Sequence, residues 1–363
     1  MKVFRCDHCR HLVFFENVHC VACNHSLAFL PDLRVVGSLD PAGDGVFTSP
    51  MKKAAAGGYR LCANYLNNNV CNWAVPADDP DPLCRSCRLT SVIPDLDPPG
   101  HREKWYKVEV AKRRLVYTLM ALRLPLATKE DDPEHGLAFE FKADPADPAL
   151  PRVLTGHADG VITLNIAEAE DAERERVRAL FGEPYRTLVG HFRHESGHYY
   201  WDRLVKDSPR LDAFRALFGD DREDYGEALQ RHHDNGPPAD WRDRFVSAYA
   251  SVHAWEDWAE TWAHYLHIVD SLETAAACGV RLRPPRTGDP ALRAIPNPLD
   301  DEYEPFDDLI ESWFPLTYML NNLNRGLGLS DGYPFVLTDR AVGKLRFVHD
   351  TVWEGRVPSE RPA

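Results

Sequence analysis

The stretch His194-Glu195-Ser196-Gly197-His198 sets two histidines four residues apart around a glutamate, and its reading decides the larger part of the fold. On a helix, positions i and i+4 lie on one face about one turn apart, so both imidazoles reach a single metal ion. Glu195 then sits beside that metal, where it can take a proton from a metal-bound water, the arrangement used for metal-assisted amide hydrolysis. Val189, Phe192, Tyr199, Tyr200, Trp201 and Leu204 place apolar and aromatic side chains on several sides of the motif. That composition predicts a buried helix over Tyr185–Leu204, with Pro184 marking a break before it.

A catalytic zinc needs a third protein ligand and an open fourth position. The metzincin extension would require Gly and His at positions 201 and 204, where this chain has Trp201 and Leu204, so that class is excluded. In the gluzincin solution a glutamate arrives from a second helix. Trp255-Glu256-Asp257-Trp258-Ala259-Glu260-Thr261-Trp262-Ala263-His264-Tyr265-Leu266 is the candidate, because Glu256, Glu260 and His264 recur every four residues and share nearly one face. Ala259 and Ala263 are small enough to let this helix approach the metal helix closely.

The run from Glu256 to Ala263 resembles the second zinc-helix signature of gluzincin peptidases such as the lethal-factor-like group. More broadly, a cysteine-rich amino-terminal ribbon followed by His194–Trp201 and Trp255–Leu266 resembles zinc-binding metallopeptidases of bacteria that carry a zinc-ribbon domain. The resemblance covers most of the chain, is specific for the metal chemistry and carries nothing about substrate. It implies Glu256 as third ligand and Glu260 as support for a metal-binding histidine. The residues themselves call for a carboxylate without fixing its register, so Glu260, Asp257 and His264 stand behind Glu256 as alternatives. His264 and His267 are otherwise expected on a solvated helix face.

The tetrahedral oxyanion of amide hydrolysis is commonly stabilised by zinc together with a Tyr or His donor. Tyr249 lies seven residues before Glu256, about 20° away around a continuous helix, and lethal-factor-like sites place a tyrosine at the same spacing. It is the first candidate for that role and His253 the next, while Tyr199 and Tyr200 read as packing. The mechanism implied is attack by zinc-bound water, whose pKa zinc lowers to about 7, with Glu195 as the base that relays the proton to the leaving amine.

Eight of the nine cysteines fall before position 90. Cys6-x2-Cys9 and Cys20-x2-Cys23 are two knuckles spaced like a zinc ribbon, each presenting two sulfurs to one metal. Cys62, Cys71, Cys84 and Cys87 are looser, with one true knuckle, and read as a second structural zinc site; an exchanged pairing of Cys6 and Cys9 with Cys84 and Cys87 stays open. No apolar run precedes the first cysteine, so a cytoplasmic, reducing setting is expected, with thiolates as metal ligands in place of disulfides. Cys278 has no local partner and reads as a buried thiol.

Met1 to Asp95 carries nine Lys/Arg against nine Asp/Glu, so the ribbon region has no electrostatic footprint for phosphate. The net charge of −14 falls on residues 96–363 and disfavours nucleic acid and anionic membrane as partners. No run approaches transmembrane length. A protein contact is the better role for the ribbons. The turn-rich Pro94–Gly100 stretch marks the junction of two domains: a zinc-ribbon module over 1–95 with two four-cysteine sites, and a zincin-like catalytic domain over 100–363. The fold class expected is α+β, mainly helical with a small strand region.

Within the second domain, Glu103–Arg123 reads as a helix with Lys112, Arg113 and Arg114 on its solvated side. Leu137–Phe141 and Val161–Ile166 have strand character, the latter placed as the edge strand of a zincin. Asp171–Phe181 reads as helix, Arg281–Asp308 as an irregular excursion, Ile310–Leu327 as helix, Asp331–Phe335 as a turn and Phe335–Val352 as a segment that docks on the catalytic domain. The function expected is a zinc-dependent peptidase with one catalytic and two structural zinc ions, acting on a peptide or protein substrate. The alternative is a zinc-dependent interaction or regulatory protein with a structural or inactive zincin site, which would show a blocked fourth metal position.

Overall fold

The computed structural model describes residues 2–147, 149–181, 186–284, 286, 288, 291, 295–300 and 302–358. Pro184 and Tyr185, and part of the Arg281–Asp308 stretch, lie outside the described residues. The architecture is α+β, as expected, with a strand-rich amino-terminal region ahead of a mainly helical one. Two compact units divide it: residues 1–117 with 127–174, and residues 118–126 with 175–363.

In the first unit, β1 (Phe4–Arg5) and β2 (Leu12–Val13) form a two-stranded ribbon that flanks the first cysteine pair, Cys6 and Cys9 lying in the turn between the strands. β3 (Ser26–Leu30), β4 (Val35–Gly43), β5 (Val46–Thr48), β6 (Tyr59–Leu61) and, after the short helix α1 (Ala63–Leu66), β7 (Ala74–Pro76) follow in one antiparallel sheet in that order. Its two ends meet through a parallel bridge between Phe29 and Trp73, so the sheet curls around a core that includes Ala28, Leu30, Leu39, Tyr59 and Ala74. Closing a small sheet on itself removes most of its unpaired edge.

A second sheet explains why the first unit extends past the turn-rich junction. β8 (Thr90–Val92) pairs in parallel with β9 (Ala138–Lys142), and β9 pairs in parallel with β11 (Val161–Asn165). β10 (Gly156–Ala158) folds back on β11 through Asp159 and Gly160, both at positive φ, the turn that matches strand twist in a two-residue hairpin. β11 is therefore an inner strand, and the expectation that it forms the edge is corrected: that edge is β10.

Helix α2 (His101–Ala121) also departs from expectation, since only Arg114 of its basic run is solvated. Lys112 and Arg113 are buried because Glu109 lies on the same helix face: Lys112 Nζ pairs with it at 2.9 Å, and Arg113 is 3.9 Å from it and donates to the Val70 carbonyl at 2.5 Å. Buried charges persist where partners are supplied, and a period-3.6 reading does not see that pairing. Helix α3 (Asp171–Phe181) follows.

The second unit is built around helices. α4 (Leu188–Leu204), α5 (Leu211–Phe218), α6 (Tyr225–Asn235), α7 (Trp241–Arg244), α8 (Ala254–Ala277), α9 (Phe306–Gly326) and α10 (Asp339–Glu354) follow in order. α8 is its axis, with Trp258, Trp262, Leu266, Val269 and Leu272 all fully buried. α10 docks through Leu345, Val348 and Val352, and the buried Lys344 Nζ meets Asp257 Oδ2 at 2.5 Å. α9 starts at Phe306, inside the stretch expected to be irregular. Cys278, expected buried, is exposed at the C-terminal cap of α8, where the chain has already left the packed face.

Candidate metal centre

Two helices meet at the His-Glu motif because its two middle residues are made for contact. A Cβ on Gly197 would lie 2.9 Å from Ala259 Cα and 3.2 Å from Trp262 Cβ, so only glycine permits this approach of α4 to α8. Trp258 Nε1 donates to the Gly197 carbonyl at 2.8 Å, and Trp262 Nε1 donates to Ser196 Oγ at 3.1 Å. Tyr200 stacks on Trp262 and donates to the Pro125 carbonyl at 2.8 Å, so the Tyr199-Tyr200 pair serves packing. This close contact brings the first turn of α8 opposite the middle of α4.

The result is a three-donor cluster. His194 Nε2 lies 3.2 Å from His198 Nε2 and 3.1 Å from Glu256 Oε2, and His198 Nε2 is 3.5 Å from that same oxygen. Zinc with ligands at 2.0–2.1 Å in a tetrahedron separates its donors by about 3.3 Å, so these three atoms fit three corners. Glu256 Oε2 is buried and accepts no hydrogen bond among the described residues, as suits an oxygen facing a cation. His194 Nδ1 donates to Glu260 Oε1 at 2.7 Å, which leaves Nε2 as the lone-pair nitrogen. Ser247 Oγ in turn donates to Glu260 Oε2 at 2.6 Å.

The charges agree with that picture. Burial pushes the His194 imidazole down, but Glu256 and Glu260 outweigh it and hold its pKa well above the usual value. Burial likewise pushes the Glu256 carboxyl up, and His198 and His194 overcome it, leaving Glu256 well below the usual range. Glu260 is lowered by His194 against the same burial. The pocket thus favours positive charge between its carboxylates, which a proton or a metal ion can supply.

Glu195 is 9% exposed, follows His194 on the same turn, and lies close enough to Tyr225 for its charge to act on that phenol. The continuous helix from Tyr249 to Glu256 is corrected. Tyr249–Ser251 is a separate short turn, and His253 stands in extended conformation as the N-cap of α8. Tyr249 nevertheless stays at the site, 37% exposed, its ring 6.0 Å from that of His194. His253 spends both nitrogens on structure: Nδ1 accepts from Trp255 N at 3.0 Å and Nε2 donates to the Glu223 carbonyl at 3.1 Å.

His264 and His267 are not on a solvated face. His264 is buried with Nδ1 2.6 Å from the Tyr333 hydroxyl, and His267 packs against Trp313 and Tyr333. Burial pushes the His264 imidazole down to about 4. Asp257 is turned to Lys344, so neither it nor His264 joins the cluster. Two residues escaped the sequence reading: Tyr225, whose hydroxyl donates to Glu256 Oε1 at 2.7 Å, and Ser247. Both come from segments with no periodic relation to α8.

The eight amino-terminal cysteines gather into two sets of four, Cys6/Cys9/Cys20/Cys23 and Cys62/Cys71/Cys84/Cys87, each with its sulfurs within 4.8 Å of one another. Distances of 3.7 Å for Cys6–Cys23, 3.5 Å for Cys9–Cys20 and 3.8 Å for Cys71–Cys84 exclude disulfides and sit near the edge of about 3.8 Å for tetrahedral thiolates around zinc. The exchanged pairing left open by sequence does not occur. Backbone N–H groups of Trp73 and Cys84 donate to the sulfurs of Cys71 and Cys62, as suits thiolates.

A family model described as "Putative zinc-binding metallo-peptidase" matches residues 101–351, and one for a zinc-ribbon domain matches residues 3–98. Uncharacterized proteins of Mycobacterium bovis and of two strains of Mycobacterium tuberculosis are each 43% identical over 365 residues, spanning 100% of this chain and 98% of theirs. No solved structure matches.

Proposed function

This chain belongs to the zinc-binding metallo-peptidase family, with a zinc-ribbon domain ahead of the matched segment, and from that premise we propose that it is a gluzincin-type zinc-dependent peptidase. One observation carries the reading: the cysteine sets each offer four donors, whereas the cluster of His194, His198 and Glu256 offers three among the described residues. Structural zinc sites are closed by four protein ligands, and catalytic ones keep a corner for water or substrate. Three donors argue for catalysis and against the interaction-protein alternative.

In this reading His194, His198 and Glu256 hold the zinc, and Glu260 fixes the tautomer of His194. Zinc bound there would act as a Lewis acid and lower the pKa of water to about 7. Glu195 takes the proton of the attacking water and passes it to the leaving amine. Tyr249, partly exposed beside His194, is the donor placed to meet the oxyanion of a peptide carbonyl. The substrate is a peptide or protein, and the two four-cysteine sets hold structural zinc. The balanced charge of residues 1–95 supports a protein partner for the ribbons over nucleic acid.

A quenched-fluorescence peptide library tests this. Turnover should vanish on treatment with a zinc chelator and return with added zinc; cleavage that is indifferent to the chelator would overturn the reading.

A further inference from the structure

Glu256 divides its two oxygens between different neighbours. Oε2 faces His194 and His198, while Oε1 accepts the Tyr225 hydroxyl at 2.7 Å. Tyr225 opens α6, an element separate from the two that carry the cluster, and α6 is anchored to the start of α8 through the Glu223 carbonyl on His253 Nε2. The Tyr225 ring packs edge-on against His253 and Trp255, with centroids 5.7 and 5.9 Å away. A phenol held on three sides is a fixed donor, and it points at the one carboxylate oxygen that the histidines do not face.

We propose that Tyr225 is a positioning residue that pins Glu256 Oε1, so that Glu256 presents Oε2 alone to the metal. The inference rests on reading His194, His198 and Glu256 as the catalytic zinc site. Without the phenol the buried carboxylate is free to rotate or to offer both oxygens, and partners of metal ligands are commonly worth 10–100-fold in metal affinity. Tyr225→Phe removes only the hydroxyl and keeps the ring contacts.

The test compares full-length wild type, Tyr225→Phe and His194→Ala. Zinc retained in graded chelator buffers is measured, and the visible spectrum of the cobalt-loaded proteins is recorded. Subtracting the His194→Ala spectrum removes the contribution of the two cysteine sites. The zinc lost in His194→Ala should bind roughly 10–100-fold more weakly in Tyr225→Phe, and its cobalt bands should change intensity while the cysteine-site bands do not. Wild-type affinity and spectrum in Tyr225→Phe would overturn the role of Tyr225 and leave the site standing. Equal zinc content in wild type and His194→Ala would overturn the site, and the role of Tyr225 with it.

Discussion

At the scale of single residues, the carboxylate next to a ligand sets how that ligand meets the metal. Glu260 touches no other member of the cluster, yet its hydrogen bond selects which nitrogen of His194 faces Glu256. Replacing Glu260 with Gln should weaken zinc at this site by about 10–100-fold while the cysteine sites stay filled, read by zinc analysis after chelator dialysis. Unchanged retention would show that His194 needs no such partner. The cluster was legible in sequence because its members obey helical spacing: His194 to His198 on one helix, Glu256 to Glu260 on another. Tyr225 and Ser247 were not, since they reach the site from connecting segments whose placement depends on tertiary packing. His264 was misplaced for a related reason, its partner Tyr333 lying 69 residues away in what reads as a turn.

Among the elements, the contact of α4 with α8 governs the site, and Gly197 governs that contact. A methyl at Gly197 would press on Ala259 backbone, not on a flexible side-chain tip, so the helices must separate. Gly197→Ala should destabilise the protein by about 1–3 kcal/mol, seen as a lower urea midpoint. A wild-type midpoint would mean that the helices give way at no cost. The small alanines at 259 and 263 announced a close approach in sequence, and Ala259 provides it. Strand order was beyond sequence reasoning. β8 lies before the turn-rich junction and β9 after α2, and nothing local to either segment states that they pair. The buried Lys112 and Arg113 make the same point for a helix face, because charge predicts solvent only when no partner is buried beside it.

For the molecule as a whole, the two four-cysteine sets and the cluster of His194, His198 and Glu256 predict about three zinc ions per chain; the further group His8, Cys23 and His25 among the described residues shares Cys23 with the first cysteine set and adds none. Elemental analysis of the purified protein should show that ratio, falling by one in His194→Ala; a value near one in wild type would remove the two-site ribbon. The ribbon cysteines and the cluster of His194, His198 and Glu256 were both readable in sequence because metal ligands must be particular residues at particular spacings. Substrate choice has no such signature. Whether Glu195 serves as the base of a zinc peptidase is read from peptide-library cleavage by wild type and Glu195→Gln loaded with equal zinc. The variant should keep its metal and lose cleavage by a factor of roughly 10² or more. Cleavage by Glu195→Gln at the wild-type rate would contradict the account.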